Sequence, residues 1–245
     1  MLRLPELDTN EVSDMRPVTV TVGPLAAASL NAICLSQTPA AAGALTLNGA
    51  TAVTVNTGVS LAGVTTTSTT AVLDTARRVV ITTTANESAK TFTIVGTDYN
   101  GSPATELITG PNISTAVSNL DFKTVTSITI SAAAAGALTV GTNNTASSGW
   151  VRFDDYTLST AAIQCTVSGT VTYTIQQTLQ DPNSPTNPVA PYLVNWLNTS
   201  DAQAVSATTN VQSSYQYSPA YAKVTITNGT GSVTATFTQF GVAPY

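Results

Sequence analysis

Residues 168–176 read Ser-Gly-Thr-Val-Thr-Tyr-Thr-Ile-Gln, and their alternation is the clearest structural signal in the chain. Val171, Tyr173 and Ile175 fall on one face, whereas hydroxyl and amide side chains fall on the other. A period of two residues is typical of a β-strand with one buried face, and β-branched residues favour the extended backbone. The pattern recurs at residues 127–131 and 233–238, so the sequence predicts strands in both halves of the chain.

Three turn sequences separate alternating segments and predict hairpins. They are Ser168-Gly169, Asp-Tyr-Asn-Gly at residues 98–101 and Asn-Gly-Thr-Gly at residues 228–231. No segment has apolar residues spaced three and four apart over the length of a helix. We therefore expect an all-β chain of two antiparallel β-sandwich domains, immunoglobulin-like or jelly-roll-like, preceded by an N-terminal arm.

The predicted organisation is an arm at residues 1–16, a first β-sandwich domain at residues 17–149 and a second at residues 150–245. The Asn-, Ser- and Gly-rich sequence at residues 143–149 is the candidate linker. Six of the 21 charged side chains lie in the arm, which has no strand pattern. We expect the arm to become ordered against a partner.

Five residues of the arm are candidates for partner binding. Arg3 and Arg16 are expected to pair with acidic groups of the partner. Leu2, Leu4 and Met15 are expected to supply apolar anchors.

The composition excludes several classes of function. The 245 residues include no His, and 9% are charged, against about 25% in a typical soluble domain. Without imidazole, neither a His-based triad nor a His-containing zinc site can form. A net charge of −5 offers no basic field for nucleic acid or anionic lipid. We expect a non-enzymatic protein with no cofactor, no metal, no nucleic acid and no membrane as partner.

Carboxylate pairs are the remaining route to catalysis, as in glycosidases. The candidates are Asp154 with Asp155, Asp98 with Glu106, and Asp181. Neighbouring strand residues point to opposite faces, and turn carboxylates usually cap backbone amides, so these acids favour structural roles.

Aromatic residues give an alternative binding hypothesis. Tyr215, Tyr217 and Tyr221, here called the tyrosine stripe, could stack on sugar rings, although packing in a core or a subunit contact is the competing interpretation. Trp150 and Trp196 are open to the same two interpretations. Trp196 follows a run with a proline at every third residue between 182 and 191, which predicts a connection without ladder hydrogen bonds. Cys34 and Cys165 are expected to be buried thiols rather than a disulfide.

A set of segments, taken in their order along the chain, resembles virion structural proteins of tailed bacteriophages. The similarity lies in residues 35–43, 76–79, 91–98, 109–112, 122–128, 168–174, 181–183 and 229–237. The resemblance implies a non-enzymatic particle component built of β-sandwiches, and it transfers no catalytic residue.

The function expected from this resemblance is a capsid decoration or cement protein that stabilises the head. Its partners would be the major capsid protein or other virion proteins, in a homo-oligomer. Its location would be the virion, assembled in the bacterial cytoplasm. The alternatives are a head-tail connector or tail structural protein, and a carbohydrate-binding adhesin module that uses the tyrosine stripe.

Overall fold

The structure, a computed structural model, describes residues 17–59, 65–153, 160–215 and 217–239. The predicted arm, with Leu2, Arg3, Leu4, Met15 and Arg16, lies outside the described residues. So do Asp154 and Asp155.

Sixteen strands are described, numbered in chain order. They are β1 (Val18–Val22), β2 (Ser29–Gln37), β3 (Gly43–Ala44), β4 (Ala52–Val59), β5 (Thr65–Thr83), β6 (Thr91–Thr97), β7 (Pro103–Thr109), β8 (Thr115–Ile130), β9 (Leu138–Ser147), β10 (Val151–Arg152), β11 (Ala161–Ser168), β12 (Val171–Thr178), β13 (Leu197–Asn198), β14 (Val211–Tyr215), β15 (Tyr221–Gly229) and β16 (Ser232–Gln239).

The all-β prediction is confirmed. Among the described residues, helical geometry is limited to single 3-10 turns at Pro191–Leu193 and Ala202–Ala204. No described helix is long and apolar enough to span a bilayer. The first 3-10 turn ends the proline run, which contains no described strand, as predicted.

Alternation predicted the buried face of the strands correctly. Val171, Tyr173 and Ile175 of β12 are buried, and so are Val233, Ala235 and Phe237 of β16. Thr174 departs from the pattern, because it is also buried. Its hydroxyl accepts a hydrogen bond from the backbone N–H of Ser206 (2.9 Å), so the connection after β13 covers this side of the strand.

All strand pairs are antiparallel and form two sheets. The smaller sheet has four strands in the order β1-β16-β11-β14. The larger sheet has twelve strands, eight of them in the order β13-β12-β15-β9-β5-β8-β6-β7. The others pair at its side: β10 with β15, β2 with β9, β3 with β8 and β4 with β5.

One of the three predicted hairpins is confirmed. Residues 98–101 join β6 to β7, and these two strands pair with each other. The hairpins predicted at Ser168-Gly169 and at residues 228–231 are wrong, because each turn carries the chain from one sheet to the other. Gly169 and Gly229 have φ angles of 77° and 97°, which glycine adopts without strain.

Two separate clusters of buried side chains lie along the chain. The first contains residues of β2, β5, β6, β8 and β9, among them Cys34. The second contains residues of β11, β12, β15 and β16, among them Cys165. Both cysteines are free, as predicted, and burial raises the pKa of Cys34 to about 12 and that of Cys165 to about 11.

The strand β1 belongs with the second cluster, although it precedes the first in the sequence. It pairs along its whole length with β16, and Val22 packs among the second cluster. The predicted domain boundary at residue 149 stays a prediction. Strand β1 precedes this boundary in the sequence but pairs with β16, which follows it.

The larger sheet contributes strands to both clusters, and its two parts are joined where β9 pairs with β15. Ser147 and Ala146 of β9 pair with Thr225 and Ile226 of β15. Next to them, the Ser148 hydroxyl accepts a hydrogen bond from the backbone N–H of Val224 (3.0 Å).

Buried Arg77 of β5 secures the same region. Its guanidinium donates to the carbonyl of Ala26 (2.9 Å), in the connection after β1, and to the carbonyl of Asn143 in β9 (3.1 Å). A carboxylate oxygen of Asp74 lies 3.2 Å from the same guanidinium and forms an ion pair with it.

The fully buried Glu87 ties the connection after β5 to the one before β9. Its carboxylate accepts hydrogen bonds from the backbone N–H groups of Ala135 (2.7 Å) and Gly136 (3.1 Å) and pairs with Lys90. Burial alone would raise the pKa of Glu87, but Lys90 and the two amides outweigh it and hold that pKa below its ordinary value of 4.5.

Glu87→Gln should therefore lower the free energy of unfolding by about 2 to 4 kcal/mol at neutral pH, because Lys90 loses its partner. A lowered native pKa stabilises the fold above the unfolded value, so the difference should fade as the pH drops through the native pKa. Guanidinium unfolding at several pH values measures it.

The matched control is Asp98→Asn, which keeps the one oxygen that accepts from the backbone N–H groups of both Asn100 and Ser102 and breaks no described ion pair. It should cost less than about 1 kcal/mol. Equal stability of Glu87→Gln and wild type at neutral pH would contradict the role given to Glu87.

Candidate functional surfaces and an aromatic cleft

Every charged side chain in the described ranges has a partner within the chain. Ion pairs join Asp74 to Arg77, Glu87 to Lys90, Asp181 to Arg152, and Asp121 to both Arg78 and Lys223. Backbone amides are bound by Asp98, Glu106 and Asp201, and backbone carbonyls by Lys123. The described charges therefore serve internal contacts, and the rest of the surface formed by the described residues is neutral.

Among the acids weighed for catalysis, Asp98 and Asp181 make hydrogen bonds within the chain. Asp98 accepts hydrogen bonds from the backbone N–H groups of Asn100 and Ser102, both at 2.9 Å. Asp181 accepts one from the Tyr221 hydroxyl at 3.2 Å. No group of three His, Cys, Asp or Glu side chains is placed to hold a metal ion in the described ranges.

The tyrosine stripe does not form one accessible surface in this chain. Tyr215 is 3% exposed and packs edge to face on Phe153, with ring centroids 5.9 Å apart. Tyr221 is 7% exposed, and its hydroxyl also accepts a hydrogen bond from Asn183 (3.1 Å). Tyr217, at 55% exposed, is the member of the three that a partner can reach.

The outer face of the four-stranded sheet is a continuous neutral surface. Cross-strand hydroxyl pairs run along it, Thr19 with Thr236 at 3.2 Å and Thr21 with Thr234 at 3.0 Å. All its side chains are uncharged: Thr19, Thr21, Ala162, Gln164, Thr166, Ser168, Gln212, Ser214, Ser232, Thr234, Thr236 and Thr238. We call it the hydroxyl face.

A two-stranded ribbon extends from the larger sheet. Strand β4 pairs with β5 from Ala52↔Ala71 to Val59↔Thr65, whereas β8 joins β5 only from Ala71 onward. Residues 52–59 and 65–70, here called the ribbon, are thus paired only with each other within the described chain. The sequence carries no charge from residue 17 to residue 73, and Val53 is 47% exposed.

A cleft of about 390 Å³ opens where the two buried clusters meet in the larger sheet. Asp121 of β8 lies in its wall and bridges two cations, with 3.3 Å between its carboxylate and both Arg78 Nε of β5 and Lys223 Nζ of β15. The Lys223 Nζ also lies 4.7 Å from the ring centroid of Trp196, a cation–π contact. One ion cluster therefore joins strands of both clusters.

Both tryptophans of the chain line this cleft. Trp150 and Trp196 meet edge to face with centroids 5.0 Å apart, and Trp150 meets Tyr221 similarly at 5.7 Å. Tyr99, from the turn after β6, and Tyr192, from the first 3-10 turn, complete the aromatic lining. The sequence left open whether Trp150 and Trp196 pack inside the protein or contact a ligand. In the structure the two rings pack against each other and also line the cleft.

Sequence analysis did not identify the cleft, because its members come from seven separate segments. Lys223, Asp121 and Tyr192 sit in unremarkable contexts in the sequence. The available signal was the pair of tryptophans, since each follows a predicted linker or connection.

No known family model matches the chain, and no curated protein is significantly similar to it. A functional assignment therefore depends on the residues of this chain.

Asp121→Asn should destabilise the junction of the two clusters by about 2 to 4 kcal/mol, because Lys223 and Arg78 lose their shared anion in a largely buried site. Chemical denaturation followed by tryptophan emission measures the loss, since both tryptophans lie beside this ion cluster.

The matched control is Asp201→Asn. Asp201 caps the second 3-10 turn by accepting from the backbone N–H of Gln203 (2.9 Å), and Asn caps about as well as Asp. A loss below about 0.5 kcal/mol for Asp121→Asn would show that the ion cluster does not hold the junction.

Proposed function

We propose that the chain is a non-enzymatic structural component of a tailed-phage particle, a decoration or cement protein on the outside of the capsid. In this proposal the two buried clusters are the cores of two β-sandwich domains. The ordered segments that resemble tailed-phage virion proteins support the assignment to a phage particle. The ribbon and the hydroxyl face support the role of a decoration or cement protein within it.

The observation that carries the proposal is the ribbon. An isolated two-stranded hairpin is at best marginally stable in water, and an uncharged open edge invites pairing with other chains. Soluble monomers usually protect such an edge with charges, bulges or a covering segment. The ribbon has one register shift, between Asn56 and Gly58, but no charge at all. A ribbon of this kind is suited to contacts inside a permanent assembly, where another protein covers it.

The hydroxyl face fits the same role. Neutral hydroxyl and methyl groups can be buried against a partner without the cost of removing water from ions. Each contact would be weak, but a symmetric shell repeats it many times, and the repeats add up to tight attachment. The arm, with Arg3, Arg16 and its apolar anchors, is proposed to add a second contact per copy.

Val53→Lys tests the ribbon directly. Lysine is tolerated on an exposed edge strand, so the fold should stay intact. Burying its charge in the contact requires removal of the water bound to it, so binding to particles should fall at least about tenfold. The assay is co-sedimentation of purified protein with phage particles produced without this chain. Leu107→Lys on edge strand β7 is the matched control, since Leu107 is also exposed (65%) and lies away from the ribbon, and it should bind as wild type does.

Two results would count against the proposal. Wild-type protein that fails to sediment with the particles would contradict the particle role. Equal binding of Val53→Lys and wild type would contradict the ribbon as the contact and leave the hydroxyl face or the arm to be varied in the same assay.

A further inference from the structure

The aromatic cleft has features that the proposed function does not use. Its volume of about 390 Å³ lies within the range of small-molecule sites, about 300 to 1,000 Å³. Tyr99 and Tyr192 line it with rings that are 43% and 40% exposed, one from the turn after β6 and one from the 3-10 turn. Exposed rings of this kind provide flat apolar faces with a polar tip.

The charges in the cleft cancel. Arg78 and Lys223 are matched by Asp98 and Asp121, and the Asp121 carboxylate lies between the two cations. An anionic ligand would have to displace Asp121, and a cationic ligand would have to displace Arg78 or Lys223. The cleft therefore favours a neutral ligand.

Two amide side chains in the cleft are available for hydrogen bonding. The backbone N–H groups of Asn119 and Asn195 are bound by Glu106 and Gln180, at 2.7 Å and 2.6 Å. Their side-chain amides make no hydrogen bond to the described part of the chain, although each can donate and accept. Neutral groups that both donate and accept match the hydroxyl groups of a sugar.

Local contacts position the segments that carry the two tyrosines. A Cβ atom on Gly149 would lie 2.8 Å from Cε1 of Tyr99, so the ring rests directly against the glycine backbone. On the other wall, the backbone N–H of Leu193 donates to the carbonyl of Ala190 (2.8 Å) and closes the 3-10 turn that carries Tyr192. Rings held in place lose little entropy on binding.

We propose that this cleft binds a neutral oligosaccharide, with Tyr99 and Tyr192 against the C–H faces of its sugar rings and Asn119 and Asn195 bound to its hydroxyl groups. The site differs from the tyrosine stripe considered from the sequence. It is also independent of the ribbon, so Val53→Lys should keep full saccharide binding.

Tryptophan fluorescence is a selective readout, because both tryptophans of the chain line the cleft. The probes are tetrasaccharides of glucose, of galactose, of mannose and of N-acetylglucosamine, titrated one at a time. At least one should change the emission saturably, with a Kd between about 10 μM and 1 mM, as for a small neutral ligand in a preformed site. Inorganic phosphate should cause no saturable change.

Three variants locate the site for the saccharide that binds. Tyr192→Ala should weaken binding at least about tenfold, and Gly149→Ala should weaken it by displacing Tyr99. Tyr217→Ala removes an exposed tyrosine outside the cleft, 55% exposed against 40% for Tyr192, and should bind as wild type does. Unchanged denaturation midpoints show that the variants are folded.

Two results would overturn the proposal. One is the absence of a saturable response to all four tetrasaccharides. The other is binding that survives Tyr192→Ala and is lost in Tyr217→Ala, which would place the saccharide at the surface around Tyr217.

Discussion

The junction between β9 and β15 is the interaction on which the rest of this structure depends. Two residue pairs join these strands, and through them a single sheet runs past both buried clusters. Asp121, between Arg78 of β5 and Lys223 of β15, reinforces the junction with electrostatic attraction in a largely buried site. Buried Arg77 adds a link from β5 to the connection after β1. The aromatic cleft lies beside this junction, with Ser147 of β9 and Lys223 of β15 in its lining.

The same few charges explain the character of the surface. Because the described ionisable side chains are engaged in contacts within the chain, the exposed faces of the described residues carry mainly hydroxyl, amide and methyl groups. Such faces do little to prevent association with other proteins. They can be buried in an interface at low cost, since no ion loses its bound water. The ribbon and the hydroxyl face are two instances of this one property. A protein that works as one of many copies in a closed shell can use it, whereas a free monomer would be at risk of aggregation.

The sequence predicted those features that depend on local pattern. Alternation at residues 171–176 and 233–238 identified strands and their buried faces, and the Asp98 turn identified a true hairpin. It did not predict which strands pair, because a period of two residues specifies a face and not a neighbour. The turns at Ser168-Gly169 and at residues 228–231 have hairpin composition but link different sheets, and β1 pairs with β16 from the far end of the chain. The cleft was missed for the same reason, since Asp121, Tyr192 and Lys223 meet only after these pairings form.

The copy number of this chain per purified virion tests the central claim most directly. It can be measured by quantitative peptide mass spectrometry against the major capsid protein. The account predicts copies on the order of hundreds, as icosahedral symmetry requires of a protein that covers the shell. Roughly 5 to 15 copies would instead place it at the single tail-bearing vertex, as a connector or tail protein. Its absence from the particles would contradict the account.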